Sequence, residues 1–212
     1  MSPENALRDA ITRLGQSIFE RGLTFGSSGN ISVRLDDGWL MTPTNVSLGR
    51  LDPARITRLD AAGRLLAGDP PTKERFLHIA MYSERASARA VVHLHSTHSV
   101  AVSCLADVDP DDVLPPITAY YVMRIGRLPL IPYHPPGDET LAEAVRLRAG
   151  RHTAVLLANH GPVVAGTSLD AAAGAIEELE ETARLHLLLR DRPVRLLTPE
   201  QVAELRRRFP LN

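Results

Sequence analysis

Val91-Val92-His93-Leu94-His95 sets two imidazoles two residues apart within an apolar run. On a β-strand, residues i and i+2 share a face, so both rings can aim at one point. A third ligand has to come from elsewhere. His160 is the best-placed candidate, since it ends the apolar run Thr153 to Ala158 just before Gly161-Pro162. Three histidines with one open position describe a catalytic, zinc-type site rather than a closed structural one. A single histidine in such a run is ordinarily a satisfied core residue; a pair on one strand with a third closing another strand is the pattern of a metal site. A divalent metal alone is a Lewis acid and needs an acid–base partner. Glu74, at a helix start just upstream of the His strand, can be that general acid or base, although the helix dipole by itself also favours a first-turn glutamate. Gly26-Ser27-Ser28-Gly29-Asn30 offers backbone N–H groups and hydroxyls in a tight loop, a cradle for an oxyanion or phosphate, and Thr44-Asn45 repeats that chemistry.

These residues need a scaffold. Ser2-Pro3 reads as the cap and first position of a helix that carries Ala6, Ile11, Leu14, Ile18 and Phe19 inward and stops at Gly22. Ile31 to Leu35 and Trp39 to Thr42 alternate around the turn signal Asp37-Gly38, and Ile56 to Asp60 and Arg64 to Leu66 extend the meander. Phe76, Leu77, Ala80 and Met81 stripe the helix that Glu74 opens. Arg89 to Leu94 is a buried strand, after which Thr97 can cap a helix to Leu105. Ile117 to Ile125 is expected helical, Leu130-Ile131 a short strand, and a helix follows Gly137-Asp138 through Leu147. Thr153 to Leu157 and Pro162 to Val164 form a hairpin around Asn159-His160-Gly161. A long helix then runs to about Leu189, with Glu177, Glu178, Glu180 and Glu181 on its solvated side, and a last helix starts at Thr198. The expected architecture is α/β: a central, largely antiparallel sheet flanked by helices, in one domain spanning 1–212. His78, His152 and His186 are expected at the surface, His98 in a structural role, and Cys104 as a small buried hydrophobe.

The totals exclude several classes. A formal net charge of −1 over 212 residues, with no basic block, argues against nucleic acid or an anionic membrane as a partner. One cysteine permits no internal disulfide and fits a reducing compartment. Charged residues interrupt the first twenty positions and no apolar run reaches membrane length, so a soluble, cytoplasmic protein is expected.

The order of the loops carries a resemblance. Ser28-Gly29-Asn30, Thr42-Pro43-Thr44-Asn45, Pro71-Thr72-Lys73-Glu74, His93-Leu94-His95 and Asn159-His160-Gly161, taken together, resemble the class II aldolase/adducin family from about residue 5 to 190. The resemblance implies the class II aldolase fold and Zn²⁺, or another divalent metal, on His93, His95 and His160. It implies Glu74 as the proton-transferring carboxylate, and substrate phosphate on Ser28, Gly29, Asn30, Thr44, Asn45 and Thr72. It further implies a homotetramer with interfacial active sites, in which a neighbouring subunit donates an acidic tyrosine matching Tyr121 or Tyr120.

One position departs: the family's second serine before the glutamate is Lys73 here. A fixed cation beside the metal suits a substrate that also carries a carboxylate. The stretches GSSGNISVRL, GDPPTKE, VVHLHSTHSVAVSCL and LLANHGPVVAG resemble the branch of the family that decarboxylates 3-oxo-tetronate 4-phosphates in four-carbon sugar-acid catabolism, giving dihydroxyacetone phosphate and CO2. Losing CO2 from a 3-oxo acid and retro-aldol cleavage leave the same kind of enediolate, which the metal stabilises. Glu74 would protonate its carbon, Tyr121 or Tyr120 would assist, and Lys73 would position the departing carboxylate. The same set would also serve a sugar-phosphate aldolase or 4-epimerase; a non-catalytic adducin-like module would not need it.

Overall fold

The computed structural model describes residues 2–135 and 137–211. The chain opens with helix α1 (Pro3–Glu20), whose first turn is held by Ser2 Oγ accepting from the Asn5 amide at 3.2 Å. Strands β1 (Asn30–Leu35), β2 (Gly38–Met41), β3 (Thr57–Asp60) and β4 (Leu65–Ala67) form the antiparallel meander. Helix α2 (Arg75–Glu84) leads into β5 (Ala90–His93), and α3 (Thr97–Ser103) follows. After α4 (Ala119–Arg124) come β6 (Leu130–Ile131), α5 (Thr140–Ala149), the hairpin β7 (Ala154–Leu157) and β8 (Gly161–Gly166), α6 (Leu169–Leu189) and α7 (Pro199–Arg208).

The eight strands make one sheet in the order β4-β3-β2-β1-β5-β8-β7-β6. Every pairing is antiparallel except β6 on β7. The alternation of β5 explains the layers. Val91 packs with α2 and α5 on one face, whereas Val92 and Leu94 pack with α1, α3, α4 and α6 on the other. Both faces are covered, so β5 reads as a continuous apolar run, Ala90-Val91-Val92, that ends at His93. Each fully buried valine there contributes roughly 1.5–3 kcal/mol, and that rigid strand is what fixes His93.

Three expectations about the elements need correction. Strand β5 stops at His93, and His95 lies in the segment before α3. Helix α4 covers only Ala119–Arg124, because Thr118 caps it and Gly126 adopts φ 79 just past its end. Thr97 does not cap α3; that role falls to a side chain from α6, described below.

Candidate active site

Three local devices bring the chemistry-bearing residues together. The β1–β5 register sets Asn30 directly opposite His93, so the Ser28-Gly29-Asn30 loop arrives beside the first imidazole. The loop can approach because Gly29 has φ 79 and no Cβ, which would otherwise stand 3.1 Å from the His93 carbonyl. Asn159 takes φ 55 to turn the β7–β8 hairpin, and a side chain at Gly161 would run into the Leu94 carbonyl. Asparagine tolerates the left-handed region, which also accounts for Asn45 at φ 57 in the second loop.

The imidazoles converge. His93 Nε2 lies 3.1 Å from His95 Nε2 and 3.3 Å from His160 Nε2, and His95 and His160 are themselves 3.1 Å apart. Glu74 closes the group, with Oε1 3.0 Å from His160 Nε2 and Oε2 3.5 Å from His93 Nε2. All four ligand atoms lie within 4.8 Å of one another. His93 is fully buried and its Nδ1 donates to the Pro162 carbonyl at 2.8 Å, which turns Nε2 and its lone pair toward the others.

Electrostatics make the same point. Burial raises the Glu74 pKa, but the attraction of His93 and the hydrogen bonds of His160 and His93 outweigh it, so the carboxyl is held well below its usual range. Burial lowers His93, and Glu74 more than offsets that, leaving it raised. Burial first, then the charges of His93 and His160, push His95 down to about 3. Three nitrogens this close cannot all carry protons, and three bare lone pairs would repel. A divalent cation among them resolves both problems, and imidazole with carboxylate is a suitable donor set for one. The four side chains can therefore hold a metal ion.

Two cavities meet at Glu74 and His95. One, of about 310 Å³, is walled by Ser28, Gly29, Asn30, Thr44, Asn45 and Thr72, the whole of the expected phosphate cradle, and by the exposed Lys73. Lys73 also borders an outer groove with Arg75 and Arg146, so its ammonium can serve either side. The other cavity, of about 490 Å³, is walled by Phe25, Thr97, Tyr133 and His134 together with Glu74, His95 and His160. A larger cavity, about 760 Å³, lies among Arg85, Arg127, Arg151 and Arg206 at the opposite ends of the strands and includes none of the expected site residues. Size does not identify the site; the donor set does.

The two candidate tyrosines separate. Tyr121 is 1% exposed, packed in the apolar core with no hydrogen-bond partner for its hydroxyl among the described residues. Burial, with Asp112 nearby, raises its pKa. It walls neither cavity at the triad, so the expectation of an acid at Tyr121 is corrected; apolar packing of α4 against α6 and α7 turns it inward. Tyr120 is 59% exposed on the adjacent face of α4, and it too is away from the triad within its own chain.

Other expectations also change. His78 is buried rather than at the surface: its Nε2 meets Asn30 Oδ1 at 2.5 Å and its Nδ1 meets Ser32 Oγ at 2.7 Å. Asn30 Nδ2 in turn donates to Glu74 Oε2 at 2.7 Å. The sequence held a signal for this: Glu74, His78 and Tyr82 recur every four residues along one helix face, and Asn30 and Ser32 share a strand face. Glu180 is buried, not solvated, because it accepts from the backbone amides of His98 and Ser99 at the start of α3, 2.9 Å each. Cys104 is exposed, being the residue just past α3, where Asn159 Nδ2 reaches its sulfur at 3.4 Å. Among the described residues, no helix is long and apolar enough to cross a membrane.

Comparison with known proteins agrees with this geometry. Residues 9–187 match the model of the Class II Aldolase and Adducin N-terminal domain. A 3-oxo-tetronate 4-phosphate decarboxylase of Escherichia coli is 50% identical over 96% of each chain. That of Cupriavidus necator is 51% identical over 91% of this chain and 89% of its own. The crystal structure of YgbL from Escherichia coli superposes with a TM-score of 0.95 at 48% identity, covering 97% of this chain and 100% of that one. A sheet, a donor set and a sequence that all agree over most of the length lead to one conclusion: the chain belongs to the class II aldolase and adducin family.

Proposed function

We propose that the protein is a carboxy-lyase that converts 3-oxo-tetronate 4-phosphate to dihydroxyacetone phosphate and CO2, in the catabolism of four-carbon sugar acids. The reading rests on near-full-length likeness to enzymes that bear this name, and on one geometric observation: Glu74 lies between the three imidazoles and the polar cradle and walls the cavities on both sides. A reacting carbon held there has a phosphate site on one side and an acid–base group within reach.

His93, His95 and His160 would hold the metal, zinc in this reading. When bound, it supplies Lewis-acid stabilisation of the charge that develops as the carboxylate departs. The remaining work falls to the chain's own groups. Ser28, Gly29, Asn30, Thr44, Asn45 and Thr72 hold the phosphate, so that remote binding orients the reacting end. Lys73 positions the leaving carboxylate without neutralising it so strongly that the ground state is favoured. The bond between the carboxyl carbon and its neighbour breaks, CO2 leaves, and the electron pair enters the enediolate. Glu74 rests ionised, so it acts first as acceptor of the neighbouring hydroxyl proton. It then delivers a proton to the carbon that lost CO2, the net proton coming from solvent.

Tyr120, exposed on α4, is the tyrosine that a homotetramer could present to the site of an adjacent subunit; a buried Tyr121 could not be presented. We take residues 1–212 as one domain of this type and the cytoplasm as its compartment. A coupled assay for dihydroxyacetone phosphate, run with the zinc-loaded protein on 3-oxo-tetronate 4-phosphate, tests the reaction. Turnover that disappears on chelation and returns with zinc supports it. A metal-loaded protein that yields no dihydroxyacetone phosphate overturns it.

A further inference from the structure

A chain of buried hydrogen bonds runs away from Glu74, and its direction can be worked out atom by atom. Glu74 is ionised and accepts only, so Asn30 must present its amide nitrogen to Oε2, at 2.7 Å. That leaves Asn30 Oδ1 facing His78 Nε2 at 2.5 Å, and an oxygen there requires His78 to carry its proton on Nε2. The Nδ1 of His78 is then a lone pair, and Ser32 must donate its hydroxyl proton to it at 2.7 Å. Ser32 has no second proton, so Tyr82 donates to Ser32 at 2.9 Å. Every donor points toward the carboxylate, and His78 and Ser32 are fully buried. Burial lowers the His78 pKa to about 3, in keeping with the neutral ring this order needs.

We propose that His78 is a positioning residue of the reaction, holding the Asn30 carboxamide so that its N–H, and not its C=O, faces Oε2 of Glu74. Without that donor the amide can rotate by half a turn. Its oxygen would then oppose the carboxylate, and Glu74 would lose the contact that fixes it beside the triad. The inference rests on Glu74 as the proton carrier.

The test uses the metal-loaded full chain with two readouts. One is decarboxylation. The other is the back half of the reaction, exchange of the hydroxymethyl hydrogen of dihydroxyacetone phosphate in heavy water. There the C–H bond breaks, its proton passes to Glu74, its electron pair enters the enediolate, and a solvent deuteron returns. In His78→Phe both rates are expected to fall about 10–100-fold, with KM and bound zinc unchanged. His78→Gln, which keeps an N–H near the Nε2 position, is expected to recover most of the loss. His78→Asn, which reaches Ser32 but not Asn30, is expected to stay slow. Should the phenylalanine variant fail to fold, the glutamine–asparagine pair decides. Wild-type rates in His78→Phe, or a glutamine variant as slow as the asparagine one, overturn the proposal. A wild type that exchanges hydrogen but releases no CO2 ends the decarboxylase reading and leaves the His78 comparison readable on exchange alone. A wild type that does neither removes Glu74 as proton carrier and this proposal with it.

Discussion

Glu74 and Glu180 both stand beside histidines, largely withdrawn from solvent, with side chains 24% and 9% exposed. Their oxygens are engaged in different ways. Glu180 reaches from α6 to the first turn of α3, where it accepts from the amides of His98 and Ser99, the Ser99 hydroxyl at 2.7 Å and His98 Nδ1 at 2.8 Å. It satisfies orphan N–H groups of a helix that is not its own. Glu74 occupies the cap position of α2 yet makes no side-chain cap bond there. It turns from its own helix toward three imidazole nitrogens and two cavities. A carboxylate saturated by backbone donors is a staple. One that leaves the local donors unanswered and faces a cavity is available for chemistry.

The sharpest way to break that contrast is to remove what Glu74 faces. His160→Ala is expected to abolish bound metal and activity together, read by metal analysis and turnover; a variant that keeps stoichiometric metal would show that the triad is not the ligand set. Glu74→Gln keeps the shape and removes the proton carrier. Its kcat is expected to fall about 10²–10⁴-fold with metal retained. Glu180→Ala should do the reverse. Each backbone N–H left buried without a partner costs about 1–3 kcal/mol, so the melting temperature is expected to drop by several degrees while kcat per folded molecule changes little. A large kcat loss in Glu180→Ala at full stability would erase the distinction.

A smaller effect separates the buried relay from the staple. The folded-state pKa of His78 is lowered from 6.5 to about 3. Between those values the unfolded chain binds a proton that the folded chain refuses, so unfolding free energy falls as pH falls through that window. The slope from this one group is at most about 1.4 kcal/mol per pH unit. His95 contributes with the same sign in the metal-free protein. The difference between wild type and His78→Gln isolates the His78 share: denaturant midpoints measured from pH 7 down to pH 4 are expected to fall more steeply for wild type. Parallel curves would show that His78 takes up a proton as readily in the folded chain as in the unfolded one, against the neutral ring that the hydrogen-bond order needs.

The fold and the triad were legible because they are written in short-range code. Alternation names the faces of β1 and β5, and the i, i+2 histidines with a third at a hairpin turn name a cluster that could hold a metal ion. What stayed hidden was long-range. Glu180 sits in an acidic run that looks solvated, and only the packing of α6 on α3 puts it against two bare amides. His78 looks like a polar position on an amphipathic helix, and only the β1–β5 register supplies Asn30 and Ser32 to bury it against. Tyr120 and Tyr121 are adjacent identical residues. Nothing local distinguishes them until α4 is rotated into place.

Tyr121 shows where the contrast has to stop. Its hydroxyl has no partner among the described residues, as a group kept free for chemistry would have none. The difference is the cavity. Glu74 faces two open cavities, whereas the Tyr121 hydroxyl faces the apolar core and the residue is 1% exposed. A buried hydroxyl without a partner is a desolvation cost of about 1–3 kcal/mol. Tyr121→Phe removes it at nearly constant shape, so the variant is expected to be as stable as wild type or more stable, by up to about 1 kcal/mol, with unchanged kcat. Tyr120→Phe is expected to leave stability alone and lower turnover. If Tyr121→Phe instead slows turnover at full stability, its hydroxyl meets substrate in a conformation other than this one, and the exposed neighbour loses its claim.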